Sequence, residues 1–185
     1  MKSGILQSPR HLVWRLAGAL ALGFALLLLS QPVMQPKAIR ADSLSINIPG
    51  DVGQHEHWVD VNLSKQVTTA MDGTTPVRAI YVTTGMPGFE TPTGTFHVMY
   101  RVEDERMTSD GLGIPPDNPD GYDLSHVLYT QYFTNQGHAL HDNYWRPDSV
   151  FGSQATSHGC VGMELDDAYF LWSFLNTGSR VVIHG

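Results

Sequence analysis

Cys160 is the single cysteine in this chain of 185 residues, and it closes the run Ser157-His158-Gly159-Cys160. A lone thiol has no internal disulfide partner, so it is a small buried apolar residue, an idle group or a nucleophile. The Gly directly before it lets backbone amides crowd toward whatever the sulfur attacks, which is what a developing oxyanion requires. His141 stands 19 residues upstream, at the end of an apolar run. A thiol needs such a base or a cation nearby, because only the thiolate attacks and an ordinary pKa of about 8.5 leaves little of it at neutral pH. His138, His141, His158 and Cys160 can also be drawn as a zinc site with mixed ligands. Against that, His138 and His141 point to opposite faces of a strand. His55 and His57 share a strand face, at the exposed start of the domain. Trp145, Tyr144 and Tyr132 could line a substrate groove or belong to the core.

Strands must position these residues. In Trp58 to Leu63, Val59, Val61 and Leu63 alternate with Asp60 and Asn62, the period-two pattern of a half-buried strand. Gln66 to Met71 meets Asp72-Gly73, a dipeptide favoured in hairpin turns, and Val77 to Thr83 reads as the returning strand. Gly85 to Gly94 is a loop, and Thr95 to Val102 resumes strand chemistry. Glu103 to Ser125, acidic and rich in Gly and Pro, predicts a long surface loop, which in a compact domain is more often a functional lid than filler. Val127 to Phe133, Ala139 to His141 and Val181 to Ile183 read as short strands. A late helix is predicted with Asp166 capping its start, Ala168, Leu171, Phe174 and Leu175 on one face, and Gly178 just past its end. The pattern is a mostly β domain with one helix.

Charge and the N-terminus supply an address. Lys2, Arg10 and Arg15 precede the apolar run Leu16 to Leu29, and Gln31, Pro32 and Pro36 follow it, as in an export signal or an uncleaved anchor. Residues 1–41 are thus read as a signal peptide or N-terminal membrane anchor, 42–54 as a linker and 55–185 as the folded domain. The leader holds five of the 11 basic residues and none of the 18 acidic ones, leaving the remainder at a formal charge of −12. Such a surface repels phosphate backbones, so nucleic acid is not an expected partner, and membrane contact is expected only through the N-terminal segment.

The landmarks Gly85-Met86-Pro87-Gly88-Phe89-Glu90-Thr91-Pro92-Thr93-Gly94-Thr95-Phe96, Ala139-Leu140-His141, Phe151-Gly152 and Ser157-His158-Gly159-Cys160-Val161 follow one another in unbroken order. In that order they resemble the YkuD-type L,D-transpeptidases, over about residues 56 to 184. The resemblance implies a β-sandwich with one late helix, and an extracytoplasmic cysteine acyltransferase of cell-wall biogenesis and cell shape. Its substrates would be peptidoglycan stem peptides, cut between the L-centre of a diamino acid and a terminal D-Ala. By position, Cys160 would be the nucleophile and His141 its proton acceptor and donor. Backbone amides around His158, Gly159 and Cys160 would hold the oxyanion, His158 would support the nucleophile, and Ser157 would fix the turn and border the substrate. No cofactor and no metal are implied.

Two departures from the family pattern stand out. Asp142 follows the strand histidine where Gly or Ser is frequent, so either its carbonyl or its carboxylate could orient the imidazole. Gly162 stands two residues after the Cys where Arg or Asn is usual, which bears on substrate contacts more than on chemistry. Arg146, in the run Tyr144-Trp145-Arg146, could supply a replacement cation for a stem-peptide carboxylate, or be a solvated surface residue. The acceptor is open: an amine makes the protein a transpeptidase, and water makes it an L,D-carboxypeptidase. A wall-binding module without turnover and a zinc-dependent hydrolase are the rivals from other classes.

Overall fold

The computed structural model describes residues 44–185. The proposed leader, residues 1–41, lies outside the described residues. Among the described residues, strands β1 (His57–Asn62), β2 (Val67–Asp72), β3 (Thr75–Tyr81), β4 (Gly94–His97) and β9 (Arg180–His184) form one sheet, in the order β3-β2-β1-β9-β4. Strands β5 (Tyr100–Thr108), β6 (Asp123–Tyr132), β7 (Ala139–Asp142) and β8 (Val161–Met163) form the second, in the order β5-β6-β7-β8. Neighbours pair antiparallel except β1 with β9 and β7 with β8, which run parallel. The expected sandwich with one late helix, α1 (Leu165–Phe174), is the observed architecture.

One core joins the sheets. Val59, Val61, Ala70, Ile80, Val181 and Ile183 of the first meet Leu140, Val161 and Met163 of the second, with Ala168, Leu171 and Leu175 from α1 and its end. Fully burying an aliphatic side chain of this size contributes about 1.5–3 kcal/mol, so this interface is the main source of stability. β1 is covered on both faces rather than half-buried as its alternation predicts. Trp58, Met71 and Val182 pack on the outer side beneath Ile46 and Val52, which come from the segment expected to be a linker. That segment is also hydrogen-bonded to the sheet: Asn47 N–H donates to Asp60 Oδ1 at 2.8 Å, and Arg180 binds Asp51 at 2.7 Å and Glu56 at 2.8 Å. Asp60, 1% exposed, accepts from Asn47 and faces His184 Nε2 at 3.0 Å.

Three local expectations are corrected. Thr95 to Val102 is not one strand. The chain crosses between sheets at Val98 and Met99, where Val98 N–H donates to Ser179 O and Met99 N–H to Tyr132 O. A corner of this kind leaves β-forming side chains uninterrupted, so composition does not mark it. Glu103 to Ser125 is not all loop, because β5 continues to Thr108 and β6 begins at Asp123. This exposed ribbon is pinned by polar side-chain pairs, Arg106 with Asp123 at 2.6 Å and His126 with Asp104 at 3.0 Å, and needs no apolar alternation. The helix begins after Glu164, which makes no side-chain capping bond, and Asp166 lies inside its first turn. There Asp166 and Asp167 complement the helix dipole, and Asp167 also pairs with Arg78 of β3. Gly178, at φ +92°, sits in the turn before β9 rather than at the helix end, and its N–H donates to Val98 O at 2.7 Å.

Candidate active site

β7 and β8 bring Cys160 and His141 together. Their parallel register pairs Leu140 with Val161 and His141 with Gly162, which leaves Cys160 at the mouth of β8 beside Ala139. Strand alternation then places Cys160, Gly162, Ala139 and His141 on one face. Cys160 and His141 line the same cavity, of about 300 Å³. Gly162, read in the sequence as a missing contact, is a spatial requirement here: a Cβ at this position would lie 2.3 Å from Asn143 Nδ2.

His141 is held in one tautomer. Its Nδ1 lies 2.5 Å from the Asp142 backbone oxygen. A carbonyl can only accept, so Nδ1 carries the proton and Nε2 keeps its lone pair. The choice left open between the Asp142 carbonyl and its carboxylate is thereby settled for the carbonyl. The carboxylate instead accepts the Leu128 N–H at 2.5 Å and so ties β7 to β6. Trp145 stacks on the imidazole, with ring centres 5.7 Å apart and planes inclined by 17°.

Burial governs both protonation states. It pulls His141 down to about 4, against the opposing bond to Asp142 O. It pushes the Cys160 thiol up to about 11, opposed by the Ala139 N–H directed at the sulfur and reinforced by Glu105. At neutral pH the cavity therefore holds a protonated thiol, which donates to Gly137 O at 3.5 Å, and a neutral imidazole. Such a pair attacks by moving the thiol proton to the base as the new bond forms.

The turn before Cys160 is built by Ser157. Its hydroxyl donates to Cys160 O at 2.6 Å and accepts the Gly159 N–H at 3.1 Å. Gly159 has φ +109°, and a Cβ there would meet the His138 ring at 2.6 Å, so only Gly fits. The His158 ring packs edge-on against Phe89 at 4.4 Å and near Tyr122 at 5.2 Å. Its Nε2 is buried without a partner among the described residues. His138 lies on the other side of β7, with Nδ1 2.8 Å from Thr134 Oγ1. Among the described residues, no three His, Cys, Asp or Glu side chains are placed to hold a metal ion.

The cavity gathers most of the residues singled out in the sequence. His141, Trp145, Arg146, Ser157, His158 and Cys160 line it. Arg146 Nη2 donates to Thr156 O at 3.0 Å. Tyr144 does not line it, borders a neighbouring pocket instead, and donates its hydroxyl to Ser125 O at 2.7 Å. Tyr132 is absent from the wall as well, because its hydroxyl is held by Glu105 at 3.0 Å. Residues not singled out include Asn143, Met86, Met107 and the loop stretch Pro119 to Tyr122. Tyr122, whose phenol burial pushes up to about 12, stays neutral over the cavity. The Gly and Pro content of its loop was the available signal, and it indicated a surface lid without naming the side chains.

With this geometry in view, the comparisons with known proteins are consistent among themselves. The model of the YkuD L,D-transpeptidase catalytic domain matches residues 56–183. Probable L,D-transpeptidase 3 of Mycobacterium tuberculosis is 33% identical over 99 residues, covering 54% of this chain and 36% of the relative. L,D-transpeptidase 1 of the same species is 30% identical over 109 residues, covering 59% and 43%. The chain thus spans about two-fifths of the length of these curated relatives. Among solved structures, an L,D-transpeptidase from Mycobacterium smegmatis superposes with a TM-score of 0.67 at 25% identity, over 70% of this chain and 59% of that one. An L,D-transpeptidase solved in complex with imipenem gives 0.66 at 26% identity, over 69% and 58%. L,D-transpeptidase 3 of M. tuberculosis with a faropenem-derived adduct gives 0.66 at 25%, over 70% and 60%. The family match reaches from the strand before β2 to the strand after α1 and contains every wall of the cavity, and on that ground the chain belongs to the YkuD L,D-transpeptidase catalytic-domain family.

Proposed function

We propose that the protein is an exported L,D-transpeptidase whose Cys160 forms a thioester with a peptidoglycan stem peptide. The observation that carries this reading is the cavity shared by Cys160 and a His141 whose Nδ1 is fixed on a carbonyl, leaving Nε2 as a base. The Cys160 sulfur bonds to the carbonyl carbon before the terminal D-Ala, and its proton passes to His141 Nε2. The C–N bond then breaks, and the imidazolium returns that proton to the departing amine of D-Ala. An incoming amine, or water in the carboxypeptidase variant, attacks the thioester and frees the thiol. The Gly159 N–H is engaged by Ser157, so the oxyanion is assigned to the amides of His158 and Cys160. Ser157 shapes the turn, and Arg146 at the wall offers a cation to a stem carboxylate. Tyr144 is given no substrate contact in this scheme.

Incubating the full chain with a stem tetrapeptide and following D-Ala release tests the activity. Release that continues in chelator and yields a cross-linked dimer supports transpeptidation; a tripeptide without dimer supports the carboxypeptidase. No release supports the wall-binding module.

Export rests on the leader, with three basic residues before Leu16 and only Lys37 and Arg40 after Leu29. This charge bias predicts the N-terminus inside and the domain outside the cytoplasmic membrane. A C-terminal tag should be digested by protease added to spheroplasts, and a shielded tag would refute the export reading.

A further inference from the structure

Asn143 has a side-chain oxygen that the fold leaves unpaired. Its backbone is fully engaged, with N–H donating to Met163 O at 2.8 Å and C=O accepting the Arg146 N–H at 3.2 Å. Strand alternation continues Ala139 and His141 onto Asn143. Its carboxamide lies across the bare Cα of Gly162, where an added Cβ would come within 2.3 Å of Nδ2 and 3.0 Å of the Asn143 Cβ. The residue is 2% exposed, and its Oδ1 is buried with no hydrogen-bond partner among the described residues. It lines the cavity of Cys160 and His141 and also the pocket next to it, so it stands where the two meet. An unpaired buried acceptor is unfavourable, and Asn143 differs from the other unpaired side chains of the sheets, such as Thr130 and Gln131, in lining the cavity, whose occupant is a source of the donor.

We infer that Asn143 is a substrate-binding residue, whose carboxamide turns about its Cβ–Cγ bond so that Oδ1 accepts a backbone N–H of the peptide lying across the cavity while Cys160 meets the neighbouring carbonyl. The assignment rests on the peptide acyl-transfer reading above. A carbonyl oxygen requires a donor, which a peptide N–H provides and a carboxylate or a sugar ring oxygen does not. Gly162 is part of the same device. Its backbone is outside the left-handed region, so its lack of a side chain answers only to the volume taken by Asn143.

The test is affinity for a stem tetrapeptide ending in D-Ala, measured by calorimetry on the full chain carrying Cys160→Ala so that nothing turns over. Adding Asn143→Ala should weaken binding about tenfold or more. Moving the amide across the gap, with Asn143→Gly and Gly162→Asn together, should restore affinity to within about threefold, because both side chains occupy one volume. This relocation also answers the case in which Asn143→Ala fails to fold. Unchanged affinity in Asn143→Ala, as expected if Oδ1 serves only a trapped water, overturns the assignment. D-Ala release by the unsubstituted chain is read in parallel. Release with unchanged affinity removes Asn143 alone, whereas no binding and no release together remove the acyl-transfer reading as well.

Discussion

Replacing Cys160 by Ala should reduce D-Ala release by about 10⁶-fold, to the limit of detection, since removing a covalent nucleophile leaves only residual binding and oxyanion effects. The chain has one Cys, so any thiol-dependent chemistry is assigned without ambiguity. Intact-protein mass spectrometry after exposure to a carbapenem should show a single adduct on the unsubstituted chain and none on Cys160→Ala. Cys160→Ser should keep the fold and lose most turnover, because a hydroxyl in this setting is far less acidic than a thiol. The prediction is strict because the surroundings do little to help the sulfur by themselves. Burial and Glu105 both raise its pKa, and the Ala139 N–H only partly opposes them. A buried structural thiol would be inert under the same treatment. If Cys160→Ala releases D-Ala as fast as the unsubstituted chain, the site lies elsewhere.

The parts of the site legible in the sequence were those whose chemistry is local. Cys160, Gly159 and Ser157 are neighbours in the chain, and their turn follows from a Gly that tolerates φ +109° and a hydroxyl that bridges Cys160 O and Gly159 N–H. His141 was legible as the end of a short apolar strand. What it bonds to was not, because the backbone carbonyl and the side chain of Asp142 are equally near in sequence, and only the sheet decides that the carboxylate reaches Leu128. Gly162 was misleading for a related reason. It reads as a deletion until the parallel register of β7 and β8 places Asn143 over it. β8 itself, three residues long, is too short to carry a periodicity. The cover over Trp58 and Met71 was equally hidden, because Ile46 and Val52 are isolated apolar residues in a polar stretch and find their partners only once the sheet exists.

His141→Ala should slow carbapenem acylation and D-Ala release by about 10²- to 10⁴-fold, the usual range for loss of a positioned general base, while His158→Ala should cost less. His158 packs against Phe89 and Tyr122 instead of holding a fixed hydrogen bond, so its loss loosens the wall and leaves the base in place. The pH dependence distinguishes a base from a mere neighbour. With His141 near 4, the lone pair on Nε2 survives well below the ordinary histidine range, so acylation should hold through pH 6 and decline only toward pH 4. Stability moves in the same window: below about 6.5 the unfolded chain binds a proton that the folded one refuses, so the fold weakens from there toward 4. Rates are therefore to be read only where circular dichroism shows a folded chain. On the alkaline side, labelling of the free protein by iodoacetamide should keep rising beyond pH 9, as expected for a thiol near 11 that depends on bound substrate and His141 to lose its proton. A labelling rate that is already flat between pH 7 and 9 would mean a preformed thiolate–imidazolium pair, and equal losses in His141→Ala and His158→Ala would mean that the second histidine shares the role given to the first.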